Sequence, residues 1–137
     1  MIPDRIIEQG TLTTDGARSA VEVRIPWYRA LPASCISEVS FAVDGVQAPV
    51  ESLRWTMNGT TYRLDELAGH ADEWWFPLDS AQVSGDVPLA DDGEEHRVDV
   101  ELKLYIPYIV IGDGEVLRIE EHDTKTMKAG SMSGVLA

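Results

Sequence analysis

Five two-residue signals constrain this chain more than anything else in it. They are Asp15-Gly16, Asp44-Gly45, Asn58-Gly59, Asp92-Gly93 and Asp113-Gly114. Such pairs tolerate the positive φ angles that tight hairpin turns demand. They punctuate segments that alternate apolar and polar residues. Val21, Val23 and Ile25 alternate with Glu22 and Arg24; Val39, Phe41 and Val43 alternate with Ser40 and Ala42. The longest run sets Val98, Val100, Leu102, Leu104 and Ile106 against Asp99, Glu101, Lys103 and Tyr105. A period of two is the mark of a strand with one buried and one solvated face.

Shorter strands are expected at Ile6–Leu12, Val46–Val50, Leu53–Met57, Thr60–Leu64, Glu73–Phe76 and Glu115–Ile119. Helix is scarce, the best candidate being one turn at Asp65-Glu66-Leu67-Ala68 before Gly69. Many short strands at close turn spacing predict an all-β fold, a single antiparallel β-sandwich domain with little helix. The domain is expected to span residues 1–128. A flexible C-terminal tail, rich in small residues, is expected over 129–137.

Charge narrows the function. Eleven basic residues against 24 acidic ones give a net charge of −13. Nucleic-acid binding needs clustered Lys and Arg, and an anionic membrane surface repels such a chain. The opening residues, Met1 to Glu8, carry no apolar core of a secretory signal, and no apolar run is long enough for a membrane-spanning helix. Cys35 is the only cysteine, so an intrachain disulfide is impossible. A cytoplasmic location is the resulting expectation. The acids are unevenly spread, with seven of them between Asp86 and Glu101.

The residues show little chemistry of their own. His70, His96 and His122 are far apart and lack ligand spacing. Glu120-Glu121-His122-Asp123 places at most two ligands on each face of a strand, so it reads as a solvated charged strand end. Cys35 has no basic neighbour to stabilise a thiolate and reads as a small apolar residue. No nucleophile elbow or phosphate-binding glycine loop is present. So many acids allow so many carboxylate pairings that no one pair is informative. No catalytic residue and no metal ligand is therefore assigned to this chain.

Aromatic residues are the remaining signal. Glu22-Val23-Arg24-Ile25-Pro26-Trp27-Tyr28 resembles Lys103-Leu104-Tyr105-Ile106-Pro107-Tyr108-Ile109, each a strand running into Ile-Pro-aromatic. Proline cannot donate to a ladder, so pairing should stop or kink at both. If the two strands are neighbours in one sheet, Trp27, Tyr28, Tyr105 and Tyr108 gather at one end of the sandwich. The alternative is that the likeness is coincidental and the aromatics simply cap the core. Trp27-Tyr28-Arg29 unites three residue types enriched at binding hot spots. Trp74 and Trp75 are adjacent, so on a strand one faces the core and the other outward.

These segments, in their order, resemble a known family. They are Ile25-Pro26-Trp27-Tyr28-Arg29-Ala30-Leu31-Pro32-Ala33-Ser34-Cys35-Ile36, then Val43-Asp44-Gly45 with Pro49, Tyr62-Arg63-Leu64-Asp65-Glu66-Leu67, Trp74-Trp75-Phe76 and the strand His96–Tyr108. The family is the small β subunit of the bacterial C-glycoside deglycosidases, and the likeness covers roughly residues 5–128. Ala30 stands where the family pattern has Gly. The resemblance implies a chain that associates with a barrel-type α subunit. The complex would cleave the C–C bond between a 3-keto sugar and an aromatic aglycone by elimination. It also implies that no cofactor sits on this chain, and that a divalent metal (Mn²⁺) and the acid–base residues sit in the α subunit. Trp27, Tyr28, Arg29, Tyr105 and Tyr108 are then the candidates for the partner interface or pocket edge. Two other classes compete: a free-standing carbohydrate-binding sandwich, and an enzyme in its own right using paired carboxylates.

Overall fold

The computed structural model describes residues 6–27, 29–89 and 93–131. Its strands in chain order are β1 (Thr13–Thr14), β2 (Ser19–Val23), β3 (Leu31–Pro32), β4 (Ile36–Val43), β5 (Val46–Gln47) and β6 (Arg54–Met57). They continue as β7 (Thr60–Arg63), β8 (Trp74–Trp75), β9 (Ala81–Gly85), β10 (Glu95–Gly112), β11 (Glu115–Lys128) and β12 (Gly130–Ser131). Helix among the described residues is confined to short 3-10 segments at Ala33–Cys35, Val50–Ser52 and Leu64–Gly69.

The predicted turns explain the connectivity. Asp44-Gly45, Asn58-Gly59 and Asp113-Gly114 all have positive φ at both residues, and each closes a two-residue hairpin. These are the loops whose twist matches that of paired strands. Six strands form one sheet in the order β12-β1-β2-β9-β6-β7, and four form the other in the order β11-β10-β4-β5. A two-stranded ribbon, β3-β8, lies beside them. All pairings are antiparallel except β1 with β12. The all-β expectation is met.

Apolar residues from both large sheets form one core that includes Phe41, Trp55, Trp75, Leu102, Leu104 and Ile106. Trp75 meets Trp55 edge-on, with ring centroids 5.0 Å apart and planes at 79°. Such a contact contributes about 0.5–1.5 kcal/mol beyond the area it buries. Gly85 of β9 is tightly packed: a Cβ there would lie 2.6 Å from that of Ala48.

Several local expectations change. The strand expected at Val46–Val50 ends at Gln47, and Val50 opens a 3-10 segment. Ile6–Leu12 is not a continuous strand: only Ile7 bridges to Val23, because the amides of Ile6 and Ile7 both donate to the Asp123 carboxylate, at 3.1 and 2.9 Å. Asp123 is therefore buried rather than part of a solvated strand end, with Lys125 Nζ 2.8 Å away. At the C-terminus, Ala129 is buried and Gly130–Ser131 pair with Thr13–Thr14, so the sheet continues past residue 128. The rest of the expected tail, 132–137, lies outside the described residues.

Candidate functional site

Strand register sorts the loops into two ends. In the four-stranded sheet, Leu104 of β10 pairs with Ile36 at one end, and Val98 pairs with Val43 at the other. In the six-stranded sheet, Val23 of β2 pairs with Ala81 at one end, and Ser19 pairs with Gly85 at the other. Chain continuity after Val23 and before Ile36 puts Trp27, Arg29 and Leu31 at the first end. β8 follows them there, since Leu31 pairs with Trp75 and Pro32 with Trp74.

Trp27 and Tyr108 meet at this end. The Trp27 indole N–H donates to the Tyr108 hydroxyl, and the Arg29 guanidinium lies 5.1 Å from the Tyr108 ring centroid. Cation–π contacts of this kind contribute about 0.5–1 kcal/mol when exposed. A bulge aims Tyr108 at its partners. Ile106 pairs with Leu117 and Val110 with Val116, so Pro107-Tyr108-Ile109 are extra residues on β10. Proline's missing N–H accounts for the break, as the sequence predicts.

The gathering differs from the expectation in one respect. β2 and β10 are not neighbours in one sheet; they belong to different sheets, and Trp27 and Tyr108 meet because both sheets end together. Tyr105 does not join them. It alternates with the buried Leu104 and Ile106, so it stands on the outer face of the four-stranded sheet. There it pairs with Arg118, whose guanidinium lies 5.0 Å from the ring. Together they line a cleft of about 280 Å³ with Glu38, Lys103 and Glu120. A hydrogen bond from Lys103 to Glu38, and then the charges of Glu38 and Glu120, push the Lys103 pKa up. Tyr28 lies outside the described residues.

Sequence reasoning leaves Phe76, Leu78, Val110 and Ile111 out of the site. All four are exposed and belong to this end, as does the exposed Trp74, while its neighbour Trp75 is in the core. Among the described residues, the exposed Val46 sits beside the Asp44-Gly45 turn at the opposite end, and the exposed Val50 lines a cleft with Ser37, Val39 and Leu64. The signal for Val110 and Ile111 is the uncharged run Tyr105–Gly112.

The opposite end is charged. Glu94 precedes β10 and Glu95 opens it there, and His96 Nδ1 lies 2.6 Å from Asp44. The His96 contact, with the Arg97 amide, holds the Asp44 carboxyl below its usual range. At a rise of roughly 3.3 Å per residue, β10 carries the chain about 40 Å from this acidic end to Tyr108.

Chemistry-bearing side chains do not converge. Among the described residues, no three of His, Cys, Asp and Glu stand together to hold a metal ion. Cys35 is buried, and burial pushes its thiol pKa up, away from the reactive thiolate. No helix among the described residues is long and apolar enough to cross a membrane.

The described residues thus bring Trp27, Arg29 and Tyr108 together at one end of an all-β chain. Comparison with known proteins identifies the family. The family model for the C-glycoside deglycosidase beta subunit matches residues 6–108. A C-glycoside deglycosidase beta subunit from Microbacterium trichothecenolyticum is 64% identical, covering 94% of this chain and 98% of that protein. One from Arthrobacter globiformis is also 64% identical, covering 93% of this chain and 97% of its own length. A 3'-dehydrocarminate deglycosidase beta subunit from a Microbacterium species is 40% identical, covering 93% and 95%. The chain belongs to the C-glycoside deglycosidase beta-subunit family.

Proposed function

We propose that this chain is the non-catalytic subunit of a cytoplasmic carbon–carbon lyase that acts on 3-keto C-glycosides. Its partner is a barrel-type α subunit that holds a divalent metal, Mn²⁺, and the acid–base residues. In the reaction, a base of the partner removes the sugar C2 proton, which the 3-keto group acidifies. The electron pair forms the C1–C2 double bond, the bond from C1 to the aglycone breaks, and the aglycone ring carbon takes up a proton. The name of the 40% identical relative carries a 3'-dehydro substrate, which agrees with an oxidised sugar.

The observation that carries this reading is the aromatic end. Trp27, Arg29 and Tyr108 converge there, surrounded by exposed apolar residues, in a chain of net charge −13. Exposed apolar clusters of this kind mark interaction surfaces. Trp27, Arg29 and Tyr108 contact the α subunit or edge its pocket, Tyr28 belongs with them by sequence, and Tyr105 serves a separate face.

The test is co-expression with the barrel-type partner and assay on a 3-keto C-glycoside. Activity is expected from the pair and not from either chain alone. Trp27→Ala with Arg29→Ala should weaken association or raise KM. Activity from the isolated chain would overturn the non-catalytic role; unchanged assembly and kinetics in the double variant would overturn the interface.

A further inference from the structure

We propose that the tip of the β10–β11 hairpin, residues 107–117, is an arm that enters a slot on the larger subunit; this rests on reading the chain as one subunit of a complex. The last pairing of β4 with β10 is at Leu104, yet β10 and β11 stay paired as far as Gly112 and Glu115. Beyond Ile106 the four-stranded sheet has narrowed to a two-stranded ribbon. Such a ribbon is marginal in water without something to pack against.

The outgoing strand of the arm differs from the rest of this acidic chain: from Pro107 to Gly112 it carries no charged residue. Val110 is 65% and Ile111 60% exposed, on β-branched side chains that elsewhere in β10 fill the core. The arm also continues directly from Tyr108, which binds Trp27 and lies against Arg29. It therefore extends the surface already assigned to the partner.

Charge decides between a different partner and a second copy. The Asp113-Gly114 turn at the tip is followed by Glu115. Two arms packed together would set these acids against one another, in chains that each carry −13. The slot that suits this tip is apolar along its walls and basic at its floor. The larger subunit is thus the occupant.

The experiment is pull-down and titration of the larger subunit with Val110→Ser/Ile111→Ser, beside Val46→Ser as a control at the opposite end. The arm variant should bind at least tenfold more weakly, with the melting temperature of the isolated chain retained and the control binding normally. Asp113→Asn/Glu115→Gln, which keeps a turn-compatible Asn-Gly, should weaken binding at low salt and lose that effect at high salt. Should the arm variant fail to fold, hydrogen exchange on the unaltered complex replaces it, with protection of amides 107–117 expected on assembly. Normal binding by the arm variant, or unprotected arm amides in the complex, overturns the proposal and leaves the subunit reading intact. Failure of the unaltered chain to bind the larger subunit overturns the subunit reading itself. Arm-dependent dimers of the chain alone, seen by sedimentation, would assign the arm to a second copy and overturn it in a third way.

Discussion

Trp27 follows a strand of one sheet and Tyr108 lies in the bulge of a strand of the other, and the indole N–H of the first donates to the hydroxyl of the second. The bond ties the two layers together where the segment after β2 meets the bulge of β10. It depends on two prolines: Pro26 lies beyond the end of β2, and Pro107 opens the bulge that turns Tyr108 toward Trp27. Side chains already held in place spare the cost of ordering them on binding, about 0.5–1.5 kcal/mol each, which suits the partner contact proposed for this end. Arg29 over the Tyr108 ring adds a third fixed group.

Tyr108→Phe should remove that hydrogen bond while leaving the ring beneath Arg29. The site is half-exposed, so water replaces the lost partner and the stability change should be about 0.5 kcal/mol, below the typical 1 kcal/mol. Binding should suffer more than folding, because the Trp27 indole loses one of the contacts that orient it. A urea melt of the isolated chain, set beside a titration against the larger subunit, separates the two. A large loss of stability with normal binding would mean that the bond serves the fold alone.

Much of the architecture was legible because hairpins state themselves locally. Asp44-Gly45, Asn58-Gly59 and Asp113-Gly114 carry their turn geometry in two residues, and the alternation from Val98 to Ile106 names its buried face. What escaped depends on distant residues. β9, at Ala81–Gly85, lies inside the six-stranded sheet but gives a weak pattern; its last residue, Gly85, has no room for a Cβ because Ala48 and Leu53 press on it from elsewhere in the chain. Residues near Ile6 look like a strand, yet their amides are taken by Asp123. β11 runs on to Lys128 through residues that look solvated, because every second position there is at least half-covered. The aromatic end was legible in composition and not in topology, since no local signal shows that two sheets end together.

Asp123→Ala should be among the more damaging single changes. It leaves the Ile6 and Ile7 amides without their acceptor and Lys125 without its carboxylate. Each buried donor left unsatisfied costs about 1–3 kcal/mol, so a loss of about 2–5 kcal/mol is expected. Chemical denaturation measures it. Hydrogen exchange should also show Ile6 and Ile7 among the amides that lose protection. A loss below 1 kcal/mol would mean that the N-terminal segment is held by its apolar contacts.

Gly85→Ala tests the packing between the layers. The added Cβ would lie 2.6 Å from the Ala48 Cβ and 3.0 Å from Leu53 Cδ2. Ala48 Cβ is a short, rigid neighbour, so the backbone itself must shift. Overpacking of this kind costs about 1–3 kcal/mol. Ala48→Gly in the same chain should recover part of the loss, and the double-mutant cycle should show coupling of at least about 0.5 kcal/mol. Additive losses would place the strain elsewhere.

Acid sensitivity should be traceable to Asp44. Its carboxylate accepts from the Arg97 amide at 2.9 Å and lies 2.6 Å from His96 Nδ1, and these contacts lower its pKa in the folded state. A carboxyl whose folded pKa is depressed contributes stability above its unfolded value, near 3.9, and loses that contribution as pH falls through the folded value. Asp44→Asn should therefore be less stable than the unaltered chain at pH 6–7. The gap should narrow as pH falls below about 4. Asn tolerates the positive φ of 53° at this turn, so the hairpin geometry is kept and the change reads charge alone. Equilibrium unfolding of both proteins between pH 7 and pH 3 makes the comparison. A gap that stays constant across that range would mean that Asp44 stabilises the turn without its charge.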